Sequence, residues 1–329
     1  MAINKKILLS APKTEFDVTI TGFAHPVPCI FLPATNPNVD TVVIYLHGLN
    51  GSKDSLHFLR RHLTNAHIIG YDARACGKNV NEPSIHVNNA VNDLYLLIQT
   101  LKQDLQYLNI KRFYLTGESF GAAVCLIYCK KYQDVQGILI WNLPCKIVDV
   151  TEDTKSHQLK MAIPLMWTLL TNLPTYDYAP SPVEKLSNNR TLILATKLIK
   201  QKTLNDNRNI IAAWLGNHHG WNTMLSKSFM KKTTARIIYI SSQQDPLRDH
   251  KKVNKLDAIL QSYPQDKILH YDLRMGTHVL IYDINMDEFI LKGIEILVDA
   301  RPGTKLSEIK EELHEVEEAC IKHATSSPN

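Results

Sequence analysis

The sequence predicts an α/β protein, a mainly parallel β-sheet with helices on both faces, and three observations lead there. Short apolar, β-branched runs alternate with longer helical patterns, the order that a parallel sheet covered by helices imposes on a chain. That rhythm stops once, after Trp141, and resumes at Arg236, so one segment is inserted rather than woven in. The length of 329 residues, with 44% apolar and 21% charged side chains, is enough for a sizeable core of ordinary globular composition.

Taken in order, the strand candidates are 28–33 (PCIFLP), 42–47 (VVIYLH), 67–71 (HIIGY), 112–116 (RFYLT), 136–141 (QGILIW), 236–241 (RIIYIS) and 268–273 (ILHYDL). FDVTI at 16–20 adds an antiparallel edge strand. Helical patterns fall at 54–64, 88–106, 120–132 and 285–300. These divide the chain into a core of 1–143 and 236–303, an insertion of 144–235, and a terminal segment of 304–329. The insertion holds helical patterns near 155–172, 192–204 and 207–215, and its prolines 144, 164, 174, 180 and 182 favour several short helices over one long element.

Composition excludes several classes of function. The start, MAINKKILLSAPK, has only three consecutive strongly apolar residues before Ser10, too few for a secretory signal. Nowhere does an apolar run reach the roughly 18 residues that span a bilayer. Six cysteines, 29, 76, 125, 129, 145 and 320, are scattered without CxxC spacing or a disulfide framework, which points to a reducing cytoplasm and buried thiols. Cys125 and Cys129 share a helix and His218 and His219 are adjacent, but neither pair has the further ligands that a metal site needs. No nucleic-acid-binding module is present.

The residues that carry chemistry begin with Gly117-Glu118-Ser119-Phe120-Gly121, between RFYLT and the helical AAVCLIYCKKY. This is G-x-S-x-G in its strand–turn–helix context, where glycines permit a sharp turn that projects the serine at the carboxyl edge of the sheet. A serine nucleophile needs a base and an orienting acid, and this topology delivers them late, in the order Ser, Asp, His. Asp245 follows the strand RIIYISSQQ, with Asp249 the alternative acid; His278 follows ILHYDLRMGT, with His270, inside a strand pattern, the alternative base. An oxyanion needs two N–H donors, and His47-Gly48-Leu49-Asn50-Gly51 after VVIYL nominates the backbone amides of Leu49 and Phe120.

At these residues the chain resembles the α/β-hydrolase superfamily over about 28–300. The HGLNG loop, Tyr71-Asp72-Ala73-Arg74-Ala75-Cys76-Gly77-Lys78-Asn79 and GESFG are most similar to the monoacylglycerol lipase and lysophospholipase-type esterases. Those relatives usually carry D-x-R-G-H-G-x-S, and Ala75, Cys76 and Asn79 depart from it. The resemblance implies that Asp72 and Arg74 are structural and that 144–235 is a lid walling an acyl pocket, with Met161, Leu165, Met166, Trp167, Leu169, Trp214 and Trp221 as packing or lining residues.

The expected activity is carboxylic ester hydrolysis through an acyl-enzyme, with no cofactor and a small, lipid-like or anionic acyl ester as substrate. Thioester hydrolysis or acyl transfer from a carrier uses the same machinery, and a catalytically silent ligand-binding protein on the same fold is the non-enzyme reading. Residues 144–235 carry 12 Lys+Arg against 6 Asp+Glu, which leaves the remainder of the +5 chain near neutral; that basic lid attracts an anionic partner or is simply a solvated face. Finally, Leu306, Ile309, Leu313, Val316 and Cys320 line one seam of a helix at 305–323, which packs back on its own subunit or pairs in a homodimer.

Overall fold

The computed structural model describes residues 13–48, 51–74, 76–79, 82, 87–105, 108–143, 234–245, 267–278, 280–283, 286–300 and 303–326. Within them, eight strands form one sheet: β1 (Thr14–Val18), β2 (Val27–Leu32), β3 (Thr41–Leu46), β4 (His67–Tyr71), β5 (Arg112–Glu118), β6 (Gly137–Trp141), β7 (Arg236–Ser242) and β8 (Ile268–Leu273). Their order across the sheet is β1-β2-β4-β3-β5-β6-β7-β8. The pairs β1/β2 and β2/β4 are antiparallel, and every pair from β4 to β8 is parallel. All seven predicted core strands and the predicted edge strand are present within a residue or two of their expected bounds.

Burial on both faces explains why the central strands read as continuous apolar runs. Successive residues of β3 point to opposite sides: Val42, Ile44 and Leu46 join one apolar cluster, Val43 and Tyr45 the other. The first cluster is closed by α1 (Val87–Asp104) and α2 (Phe120–Tyr132), through Val91, Leu94, Leu97, Ile98 and Leu101 and through Ala122 to Cys129. The second is closed by α3 (Met286–Asp299) and α4 (Leu306–Ser326). No described helix is long and apolar enough to cross a membrane.

The seam of α4 is used within the chain. Leu306, Ile309, Leu313 and Cys320 are buried, and the helix lies against α3 and β8. Glu317, on the same face, is 1% exposed because it accepts from the Tyr271 hydroxyl (2.7 Å) and the Arg274 amide (2.6 Å). Burial pushes the Cys320 thiol up to about 11, as expected of an inert packing residue. Cys29, Cys76, Cys125 and Cys129 are buried as well, and Cys145 lies outside the described residues.

One predicted helix is shorter than its pattern. Of 54–64, only the residues up to Phe58 are helical, in a 3-10 turn that spans Lys53–Phe58, and Leu59 is already extended. The Lys13 ammonium donates to the carbonyls of Leu56 (3.1 Å), His57 (3.1 Å) and Leu59 (3.3 Å), which are the acceptors that a continuing helix would use. The chain beyond is held by Arg60 on Asp287 and by Arg61 on Glu288 and Glu295 of α3. The inserted segment lies outside the described residues over 144–233, yet β6 and β7 on either side of it are sheet neighbours.

This topology gathers the strand ends. From β3 the chain steps outward to β4 and then returns across to β5, so the strand order reverses between β3 and β5, the crevice where open α/β sheets place ligands. The register aligns the carboxyl ends there: Leu46 pairs with Gly117, Glu118 with Trp141, Trp141 with Ile240, and Ser242 with Leu273.

Candidate active site

Ser119 stands at the β5–α2 turn with φ 51° and ψ −115°, a strained conformation for a residue with a side chain. Two close approaches hold it there. A methyl group on Gly121 would lie 2.2 Å from the Leu46 carbonyl oxygen, and one on Gly117 would lie 2.8 Å from the Gly121 carbonyl carbon, so both positions admit only hydrogen. The Ser119 amide donates to the Trp141 carbonyl at the end of β6 (3.1 Å).

The structure brings the three predicted residues together. The Ser119 hydroxyl lies 2.9 Å from His278 Nε2, and His278 Nδ1 lies 2.9 Å from Asp245 Oδ2. A carboxylate only accepts, so Nδ1 carries the proton and Nε2 is left to accept from the serine hydroxyl. All three are largely buried, at 9%, 4% and 8% exposure for Ser119, His278 and Asp245, which strengthens each interaction by excluding water. The alternative base His270 is on β8, bonded to the Ser241 hydroxyl (2.7 Å) and away from Ser119. The alternative acid Asp249 lies outside the described residues.

Of the two nominated oxyanion donors, Phe120 begins α2 directly after the serine, and Leu49 lies outside the described residues. The preceding part of that loop is built firmly. His47 bonds through Nδ1 to the Gly48 carbonyl (2.7 Å) and accepts at Nε2 from the Ala73 amide (3.1 Å), and burial lowers its pKa, keeping the ring neutral. The Gly48 amide donates to Glu118 Oε1 (3.3 Å), which also accepts from the Tyr45 hydroxyl (3.2 Å).

Glu118 is a feature that the sequence pattern did not reveal. It fills the variable position before Ser119, is 2% exposed, and burial pushes its carboxyl above the usual range, against the opposing pull of the Gly48 amide and of His278. Among the described residues its Oε2 makes no hydrogen bond. Asn142, one residue past β6, is a second such feature, bonded to both Thr277 and His278. A polar residue immediately after an apolar strand was the available signal for it.

Asp72 and Arg74 are scaffold. Asp72 accepts from the amides of Lys53 (2.8 Å) and Lys78 (2.9 Å), and Arg74 grips Asp93 (2.7 Å) while lying over the Phe23 ring. Elsewhere, Glu15, Asp54 and His57 approach one another at the surface, where the ammonium groups of Lys53 and Lys78 already sit on the two carboxylates. His218 and His219 lie outside the described residues.

The family model for the alpha/beta hydrolase fold matches residues 41–154, which hold β3 to β6 and the turn at Ser119. The chain has the α/β-hydrolase fold. Solved α/β-hydrolases superpose over most of its length: a soluble variant of the monoglyceride lipase of Saccharomyces cerevisiae, bound to a substrate analogue, at a TM-score of 0.63 and 14% identity over 87% of this chain and 96% of that one. A carboxyl esterase of Bacillus coagulans in complex with glycerol gives 0.64 and 14% identity over 88% of this chain and all (100%) of that one. A Mycoplasma genitalium protein assigned as a proline iminopeptidase is 36% identical over 104 residues, which is 30% of this chain and 31% of that relative. At these identities the solved structures speak to the fold of this chain, and its chemistry rests on its own side chains.

Proposed function

We propose that this chain is a serine hydrolase of carboxylic esters that works through an acyl-enzyme. The observation that carries the reading is the Ser119–His278–Asp245 relay, with both contacts at 2.9 Å in a buried setting at the strand ends. In this mechanism Ser119 Oγ attacks the ester carbonyl carbon while His278 Nε2 takes the hydroxyl proton. Asp245 holds the ring in the needed tautomer and stabilises the imidazolium. The amides of Phe120 and Leu49 are the proposed donors to the tetrahedral oxyanion. Collapse breaks the carbon–oxygen bond to the alcohol, which leaves with the proton from His278. Water, deprotonated by the same nitrogen, then releases the carboxylic acid and restores Ser119. The residues assigned here need no cofactor.

Lipase and esterase relatives of the same fold favour a small acyl ester as substrate, and the excess of Lys and Arg over 144–235 favours an anionic one. The test is Ser119→Ala on a short-chain aryl ester, with fluorophosphonate labelling and mapping of the modified peptide. Turnover is expected to fall about 10³-fold or more with the fold intact, and the label to map to Ser119. Near-wild-type turnover by the alanine enzyme would overturn the reading. A panel including a thioester and an N-terminal prolyl amide then ranks the acyl leaving groups, since all three share this machinery.

A further inference from the structure

We propose that Asn142 is a positioning residue that clamps the loop carrying His278 to the ends of β6 and β7, so that the imidazole meets Ser119 in reactive geometry. The inference rests on the reading of His278 as the base.

Asn142 occupies the first position after β6, at the centre of the gathered strand ends, and is 2% exposed. Its side chain is used at both ends. Nδ2 donates one hydrogen to the Thr277 carbonyl (2.7 Å) and the other to the His278 carbonyl (2.9 Å), while Oδ1 accepts from the Ser242 amide (2.9 Å). The three partners are two backbone acceptors on one side and a backbone donor on the other. Only this orientation of the amide satisfies them, and reversing it would set oxygen against two carbonyls and nitrogen against an N–H.

The backbone completes the junction. The Asn142 amide donates to the Ile240 carbonyl (3.0 Å), and the residue before it, Trp141, accepts from the Ser119 amide (3.1 Å). The Asp245 amide in turn donates to the carbonyl of Ser242, the residue that Asn142 Oδ1 holds. Asn142 thus touches the backbone of His278 itself, directly follows the residue that accepts from the Ser119 amide, and holds the residue that accepts from the Asp245 amide. Its φ of 50° places it in the left-handed region, which asparagine adopts more readily than most residues and which aims the side chain at the His278 loop. From the other side, Asp283 accepts from the Thr277 hydroxyl (3.0 Å), so the loop is gripped at two points.

This role differs from a generic core contact because the atoms held are the main-chain oxygens of the base and its neighbour. Releasing them lets the imidazole drift without opening the apolar clusters on either sheet face. A displacement of about 1 Å at a reacting group costs up to about 100-fold in rate, so small movement suffices.

The test uses two substitutions in the full chain. Asn142→Gly keeps the positive φ and removes the clamp. Asn142→Asp keeps the shape and the acceptor for Ser242 but replaces both Nδ2 donations by an oxygen facing two carbonyls. With a short-chain aryl ester, both variants are expected to lower kcat by about 10- to 100-fold with KM within about twofold, and to slow fluorophosphonate labelling of Ser119 by a similar factor. The imidazole Nδ1 proton of His278, sharp and downfield when held against Asp245, is expected to broaden in both. Folded variants with kcat within twofold of the parent would overturn the proposal. In the parent protein itself, Asn142 side-chain amide protons should exchange slowly in a selectively labelled sample, and exchange as fast as a surface asparagine would overturn it without any variant. Ser119→Ala runs alongside: full turnover there defeats the reading of the site, whereas an inactive Ser119→Ala with a normal Asn142→Gly defeats the clamp alone.

Discussion

The buried carboxyl of Glu118 makes a prediction that separates its two properties, acceptor and acid. Replacing it by alanine strands the Tyr45 hydroxyl and the Gly48 amide, both of which donate to Oε1 in a buried setting. An orphaned buried donor costs about 1–3 kcal/mol, so the pair costs about 2–6 kcal/mol, and relief from burying an acid trims this toward the lower end. Glutamine keeps the acceptor and changes the oxygen that makes no hydrogen bond among the described residues, so its cost should stay within about 1 kcal/mol. The pH dependence then reports the charge. Burial raises the folded-state pKa of Glu118 above its unfolded value, so between the two values the unfolded chain has released a proton that the folded chain retains. Stability from this group therefore falls as pH rises through the ordinary carboxylate range and levels off above the folded pKa. Urea unfolding of the parent, Glu118→Gln and Glu118→Ala proteins from pH 4.5 to 8 measures both effects. The glutamine protein should gain on the parent as pH rises, with the alanine protein below both. An alanine variant as stable as the glutamine one would refute the acceptor role, and a glutamine variant that loses ground with rising pH would refute the sign of the shift. Ester turnover should follow the acceptor, since the Gly48 amide precedes the proposed oxyanion donor at Leu49: glutamine near normal, alanine down by about tenfold.

Two further outcomes follow from the same framework. Gly121→Ala would place a methyl group 2.2 Å from the Leu46 carbonyl oxygen and 2.8 Å from that of His47, so a loss of about 3 kcal/mol in unfolding free energy is expected, and an alanine protein with the parent's midpoint would refute the close approach. His67 is fully buried and accepts at Nδ1 from the Ala34 amide, and burial lowers its pKa to about 4. The unfolded chain then takes up the proton first as pH falls from about 6.5, so this residue should remove about 2–3 kcal/mol of stability by about pH 4. His67→Asn, which keeps an acceptor near Nδ1, should flatten that limb, and an unchanged acid limb would show that His67 is not its source.

What the sequence disclosed and what it withheld divide by range. Strands β3 to β7 were legible because burial on both faces writes itself into consecutive residues. The meeting of Ser119, Asp245 and His278 was legible because the topology fixes their order along the chain and the strand ends fix their places. The shortfall of the predicted helix at 54–64 was not, because its cause, Lys13, lies more than forty positions away, as the 43-residue separation of the Lys13–Leu56 bond shows. The same applies to the buried polar residues at the site. Glu118 meets Tyr45 across 73 positions, and Asn142 meets His278 across 136. No local period encodes either pairing, and both stand in segments whose pattern says only that a strand has ended. For α4, an apolar seam suits either an internal or an external partner. Glu317 separates the two, since a carboxylate buried within the seam needs donors, and Tyr271 and Arg274 supply them from the same chain.

The two unusual backbone conformations at the strand ends connect stability to activity. Ser119 and Asn142 both have positive φ, at 51° and 50°, and follow directly on the adjacent strands β5 and β6. A residue held in such a conformation costs about 1–3 kcal/mol, less for asparagine than for serine. The local compensation is hydrogen bonding that crosses between them: the Ser119 amide on the Trp141 carbonyl, and the Asn142 amide and side chain on β7 and the His278 loop. The strain in the turn at Ser119 is therefore offset by bonds made through the same strand end that anchors the His278 loop. Weakening that junction should relax Ser119 and His278 together while both apolar clusters remain covered, so the proposed activity should be lost before global stability. The reverse holds for the helices: thinning α1 or α3 removes core contacts far from Ser119, and the site should survive until the sheet itself unfolds.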